Sequence, residues 1–271
     1  MAKSVTHALV GICVGDGLLD PDAPARVPEW KGDERRSITL QHLLEMRSGL
    51  EFVEDYVDGG TSHVIDMLFG AGQDDVAGYA AARRLLHAPG SHWSYSSGTT
   101  NIVARIVGEA VAPRYGSGAA GMEAFMRQRL FEPLGMSTAI PKFDAAGTFI
   151  GSSFLYASAR DFARFGELYL HDGVWNGVRL LPEGWVEHAR RPVPTPPEEL
   201  FGYGAHFWLW PGEQGALGCH GYECQRTVVL PTRDSVLVRL GKSPEPLGLA
   251  VDDLLRELVG CLPRARESAT K

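Results

Sequence analysis

The chain predicts a mixed α/β protein of the α+β type, in which an antiparallel sheet is flanked by helices and an all-α lobe lies beside it. Three observations carry that prediction. Apolar residues recur at helical spacing in the opening segment, the middle of the chain is mostly helical, and three β-branched and aromatic runs follow the Pro-rich link Pro192 to Pro197 before helical spacing returns. Elements ordered this way bury their apolar faces as a sheet layer with helices against it. One catalytic domain over residues 1–271 is expected, with about 31–170 as its mainly helical lobe and 1–30 and 171–271 as parts of the α/β lobe.

In chain order, Val5, Leu9, Ile12 and Cys13 mark a helix buried on at least one face, and Asp16-Gly17 reads as its stop. The Pro-rich connector Asp20 to Trp30 leads to Thr39, an N-cap candidate for a short amphipathic helix from Leu40 to Arg47. Further helices are predicted over Asp75 to Leu86, Gly98 to Ala112, Gly121 to Leu130 and Ser158 to Leu170, the last with Ser158 as cap and Asp161 in its first turn. Phe201–Trp210, Gln225–Leu230 and Ser235–Leu240 read as three strands of an antiparallel meander. Leu247 to Leu262 reads as a closing helix, and Ala265 to Lys271 as a frayed tail. Three strands make a thin sheet for 271 residues.

Composition narrows the partners. A formal net charge of −7 offers no basic footprint for nucleic acid or anionic lipid, and no apolar run is long enough to span a bilayer. A small-molecule ligand is expected instead. The four cysteines, Cys13, Cys219, Cys224 and Cys261, form no disulfide framework and fit a reducing, cytoplasmic compartment. Cys219, His220 and Cys224 lie within six residues, but neighbouring strand residues face opposite ways and no fourth ligand is evident, so neither a metal nor another cofactor is expected. There is no G-x-S-x-G elbow and no H-E-x-x-H, and Gly241-Lys242-Ser243 lacks the upstream glycine of a phosphate loop.

What remains is a series of motifs in order. Met1-Ala2-Lys3-Ser4-Val5-Thr6 resembles the end of an S-x-x-K signature; Ile38 to Leu50 is similar to I-T-L-x-H-L-L-x-M-x-S-G-L; Ala88 to Ser97 to P-G-x-x-F-x-Y-S-N; and Leu130 to Met136 to a further packing signature. Together they cover nearly the whole chain. On them the sequence resembles the serine β-lactamase and penicillin-binding protein superfamily, near the branch that contains 6-aminohexanoate-dimer hydrolases, and the resemblance implies a β-lactamase/transpeptidase-like fold.

The resemblance also implies roles. On a helix, residues three apart share a face, so Lys3 can take or relay the proton of a serine one turn earlier. That register puts the nucleophile one place before Met1, so the chain is expected to be N-terminally truncated and inactive as it stands. Tyr95 falls on the tyrosine of the second motif, Y-x-N, as partner base and later acid. Ser97 replaces that motif's asparagine and is expected to touch substrate. The third motif, K-T-G, maps to Cys219-His220-Gly221: only the glycine is kept, Gly221 and Tyr222 would supply the backbone of an oxyanion hole, and His220 would stand in at the substrate for the absent lysine. Tyr56 falls where that branch carries a loop tyrosine over the substrate. Related chains have Gly-Gln where Cys224-Gln225 stands here, which would crowd the strand.

The expected function is therefore that of a serine hydrolase acting through an acyl-enzyme on a small amide or ester. Two rivals are a pseudoenzyme that keeps the pocket as a binding module, and a D-alanyl peptidase or β-lactamase, which the missing lysine disfavours.

Overall fold

The computed structural model describes residues 1–56 and 60–265; the predicted tail past Ala265 lies outside the described residues. Helix α1, Ala2–Gly15, runs through the interior, and every residue from Ala2 to Cys13 is buried, on all faces rather than on one. Its polar side chains are each satisfied there, as buried polar groups must be. The Ser4 hydroxyl donates to the His206 carbonyl at 2.9 Å, the Thr6 hydroxyl to the Gly151 carbonyl at 3.2 Å, and His7 meets Tyr169 and His188 at 2.8 and 3.0 Å. The helix stops at Asp16, followed by Gly17 at φ 71°, as the sequence indicated.

Helix α2, Leu40–Leu44, begins at the predicted Thr39 cap, whose hydroxyl accepts from the His42 N–H while His42 Nδ1 accepts from the Thr39 N–H. It ends three residues before the predicted Arg47, because Met46 turns left-handed at φ 58°. Helix α3, His63–Phe69, was not predicted. Helix α4, Val76–Ala81, has Asp75 as its cap rather than its first residue and stops five residues short of the expected Leu86, since the Leu85 region pairs in extended form with Leu50. Helix α5, Ser97–Tyr115, carries Ser96 as its cap, and helix α6, Gly118–Met126, continues through a π-helical turn, Arg127–Phe131, into α7, Glu132–Leu134.

A two-stranded ribbon of β1, Ile140–Pro141, and β2, Leu155–Tyr156, precedes α8, Ala159–Leu170, capped by Ser158. A second ribbon, β3, Val174–Trp175, with β4, Val178–Arg179, leads to α9, Trp185–Arg190. The main sheet has five strands where three were predicted: β5, Gly202–Tyr203; β6, Trp208–Leu209; β7, Leu217–Gly221; β8, Gln225–Leu230; and β9, Ser235–Arg239, all antiparallel in chain order. The run Phe201–Trp210 is a hairpin rather than one strand, because His206 turns at φ 56° and is held by the Leu44 carbonyl. Strand β7, Leu-Gly-Cys-His-Gly, carries no β-branched residue to announce it. Helix α10, Gly248–Cys261, closes the chain.

Alternation sorts the sheet's faces. Leu217, Cys219 and Val229 join the core of α1, α5 and α8, while Val228 and Leu230 pack with Leu255 and Val259 of α10. On that second face Arg226 makes a buried two-pronged ion pair with Asp252 at 2.9 and 3.0 Å, tying α10 to β8. Among the described residues no helix is long and apolar enough to cross a membrane.

Candidate active site

The first turn of α1, the start of α5 and the end of β7 meet at a cavity of about 470 Å³ lined by Lys3, Tyr95, Tyr56, His220, Gly221 and Tyr222, among others. A hydrogen bond from the Met1 amine to the His220 carbonyl fixes the start of α1 against β7. Lys3 is buried, with its Nζ 4.6 Å from the Tyr95 ring centroid and hydrogen-bonded to Ser97 Oγ at 3.0 Å and the Ser152 carbonyl at 3.3 Å. A cation over a ring face is held by the ring's quadrupole.

Tyr95 sits one residue before the α5 cap, its backbone neighbour Ser94 donating to the Met46 carbonyl at 2.9 Å. Its ring centroid lies 5.2 Å from that of Trp208 and 5.9 Å from that of Tyr203. Burial raises the phenol above its ordinary range, and the charge of Glu54 adds to this, while a hydrogen bond with Trp208 works the other way. Tyr95 is thus a proton holder in the resting site.

Ser97 does not line the cavity; it works one layer back. Its hydroxyl accepts from Lys3 and donates to Glu54 Oε1 at 2.5 Å, while its backbone N–H donates to Glu54 Oε2 at 2.7 Å. Glu54 was not singled out from the sequence. It accepts the N–H of Ser97 at the start of α5, where a carboxylate is favoured, but its place 43 positions earlier in the chain left no local signal for this. Tyr56 donates to Glu54 Oε1 at 3.0 Å, and its ring lies 5.4 Å from that of Tyr222 across the cavity mouth. Burial, then Glu54, raises the Tyr56 phenol as well.

On the strand side no cation replaces the lysine of K-T-G. The Cys219 thiol faces the core and burial pushes it up to about 11, so it stays protonated. His220 stacks on Trp208 at 5.5 Å and 17°, with Phe201 edge-on at 4.7 Å. Burial first, then the Arg226 charge, holds its pKa well below the usual imidazole range, so the ring is neutral. Its Nε2 has no partner among the described residues. His220 lines the cavity, and as a neutral ring it brings no positive charge to it. Gly221 ends β7 opposite Gln225, and it lines the cavity together with Tyr222, whose side chain is largely exposed. Trp208 and the turn Ser152–Phe154 also line the cavity and were not read from sequence. Among the described residues no three His, Cys, Asp or Glu side chains are grouped to hold a metal ion.

The family model described as Beta-lactamase matches residues 1–260. Among curated proteins the chain is 26% identical over 265 residues to a 6-aminohexanoate-dimer hydrolase of Paenarthrobacter ureafaciens; the match takes in 91% of this chain and 66% of that protein's length. In fold it is similar to a Bacillus anthracis protein provisionally assigned as a 6-aminohexanoate-dimer hydrolase, with a TM-score of 0.81 and 22% identity over 97% of this chain and 72% of the other. It is also similar to an octameric penicillin-binding protein homologue from Pyrococcus abyssi, with a TM-score of 0.68 and 20% identity over 96% and 64% of the two chains.

Proposed function

The chain belongs to the beta-lactamase family, and from that premise we propose that it serves a hydrolase of small amides or esters working through an acyl-enzyme. One observation carries the proposal: the Lys3 amine and the Tyr95 phenol converge on a cavity that the end of β7 also lines. In the S-x-x-K register the attacking hydroxyl would be that of a serine placed immediately before Met1. Lys3 and Tyr95 relieve it of its proton as its oxygen adds to the substrate carbonyl carbon. The oxyanion is received by the nucleophile's own N–H and that of Tyr222. Tyr95 returns the proton to the leaving nitrogen or oxygen, and water repeats the sequence to free the acid.

The absence of a lysine on β7 favours substrates without a carboxylate beside the scissile bond, and so disfavours penicillins. Ser97, Tyr56 and His220 act in this scheme by holding Lys3, covering the mouth and walling the cavity. To test it, the chain would be extended so that a serine precedes Met1 and compared with the 271-residue chain for fluorophosphonate labelling and for turnover of a nitrophenyl ester and a chromogenic cephalosporin. The serine-bearing protein should label and should prefer the ester. Equal labelling of both chains would discard the nucleophile assignment, and faster cephalosporin hydrolysis the substrate class.

A further inference from the structure

The cavity does not end at Tyr95. Ile65 and Phe69 lie one helical turn apart on α3, beside the buried Leu68, and all three line the cavity. Phe69 is nonetheless 62% exposed. Its ring centroid lies 6.0 Å from that of Phe154, another lining residue, and Phe154 in turn stacks on Tyr156 at 6.5 Å and 13°. Tyr156 is 55% exposed and pairs across the ribbon with Ile140, 50% exposed. Side chains directly opposite in an antiparallel pair share a face. These five side chains form a continuous apolar shelf that starts inside the cavity and runs out over β2 and β1.

Core packing accounts in part for Phe154 but not for the other four, which project from elements whose other faces are already buried. Single exposed apolar residues are ordinary, whereas a contiguous set rising from a pocket marks a place where something apolar is covered. Its charged neighbours are few. The Asp66 carboxylate is turned into its own loop, accepting from the Ala71 N–H at 3.0 Å. Lys142, whose N–H donates to the Phe154 carbonyl at 2.9 Å, is exposed at the shelf's edge, where a lysine stem can lie along a ring with its ammonium in water. Continuity with the cavity that holds Lys3 and Tyr95 identifies the occupant as a part of the same molecule that reaches them.

We infer that Ile65, Phe69, Phe154, Tyr156 and Ile140 form a distal substrate subsite that takes an uncharged alkyl or aryl arm of the substrate, several carbons removed from the scissile bond. For its occupant's being a substrate, this rests on the hydrolase proposed above. The subsite selects extended, apolar amides or esters over short ones.

Binding can be measured without turnover. The 271-residue chain would be titrated with N-methylacetamide and N-methyloctanamide by ligand-observed NMR. The longer amide should bind about 10-fold more tightly, the gain of a few partly buried methylenes. In a Phe69→Ser, Tyr156→Ser double variant that gain should fall below about 3-fold on the same scale, while Leu254→Ser, on the exposed face of α10, should keep it. No gain in the unaltered chain, a full gain in the double variant, or its loss in the α10 variant would each overturn the subsite. The serine-extended protein, assayed on nitrophenyl acetate and octanoate, should show the same dependence in kcat/KM. A binding gain without any turnover would leave the subsite standing and remove the hydrolase; turnover indifferent to chain length would do the reverse.

Discussion

The cavity has two unlike walls. On the helical wall, built from α1, α5 and the segment carrying Glu54, the polar groups are chained together: Lys3 to Ser97, Ser97 to Glu54, Tyr56 to Glu54. On the strand wall the matching positions are neutral or aromatic and His220 Nε2 has no partner among the described residues, while in the turn that follows β7 two successive non-glycine residues, Glu223 and Cys224, are left-handed at φ 53° and 66°. Under the proposed function, the helical wall keeps the family's motif residues where proton transfer would be done, and the strand wall departs from them where a substrate's charge would be read. A site can thus keep its base chemistry while changing what it accepts.

The largest expected effect tests the helical wall. In the serine-extended protein Tyr95→Phe keeps the ring under Lys3 and removes only the hydroxyl, so kcat should drop at least ~100-fold, the usual cost of losing a general acid–base. Turnover within a few-fold of the parent would take Tyr95 out of the chemistry. Glu54→Gln probes the same wall one layer back. Ser97 uses both carboxylate oxygens, one for its N–H and one for its hydroxyl, and a glutamine offers only one acceptor. Stability should fall by about 2 kcal/mol, as for a charged hydrogen-bond partner removed from part-buried donors. An unchanged denaturation midpoint would mean that the chain of contacts is decorative.

How much of this contrast was legible in the sequence follows from how local each signal is. Thr39 and Ser158 were readable as caps because a cap is satisfied within three residues. Lys3, Tyr95 and Gly221 were readable because their motifs are contiguous strings. Glu54 was not, since its task exists only once its segment folds back on Ser97, 43 positions on. The hairpin within Phe201–Trp210 was hidden for the same reason: its turn at His206 is held by Leu44, 162 positions earlier. Strand β7 was reached only through the K-T-G match and not from propensity, because a strand made of Leu, Gly, Cys, His and Gly owes its conformation to the strands on either side.

Deeper in α1 the helical wall predicts an acid sensitivity. The Gln41 amide donates to Glu45 at 2.7 Å, so its oxygen accepts from His188 Nε2 at 2.8 Å; His188 Nδ1 then accepts from His7 Nε2 at 3.0 Å, and His7 Nδ1 from Tyr169 at 2.8 Å. Each ring must be neutral for this chain to run. Burial, and then Arg191, lowers the His188 pKa from 6.5 to about 4, and burial holds His7 well below the same value. A lowered histidine pKa means that the unfolded chain binds the proton first. The stability is therefore fully present above pH 6.5 and is lost as pH falls toward 4, by up to about 1.4 kcal/mol per pH unit per ring. Denaturant midpoints measured across that window should fall, and His188→Gln should flatten the fall. A slope that His188→Gln leaves unaltered would assign the acid sensitivity elsewhere.

The smallest effect sharpens the strand wall. Cys224 follows β7 in the turn to β8, at φ 66°, a conformation in which a side chain crowds the backbone and which glycine adopts without cost. The sequence comparison with the family, Gly-Gln against Cys224-Gln225, is thereby given a physical meaning: the strain lies in the backbone of the turn. Cys224→Gly should relieve about 1 kcal/mol of it, partly offset by the extra freedom of the unfolded glycine. A net rise of about 0.5 kcal/mol is expected, read as a higher denaturation midpoint with an unchanged denaturant slope. The Arg239 guanidinium bonds the Cys224 carbonyl at 2.9 Å and not its side chain, so that contact survives the change. If Cys224→Gly instead lowers the midpoint, the buried sulfur contributes more than the turn costs, and the departure from the family at this position stabilises the strand wall rather than straining it.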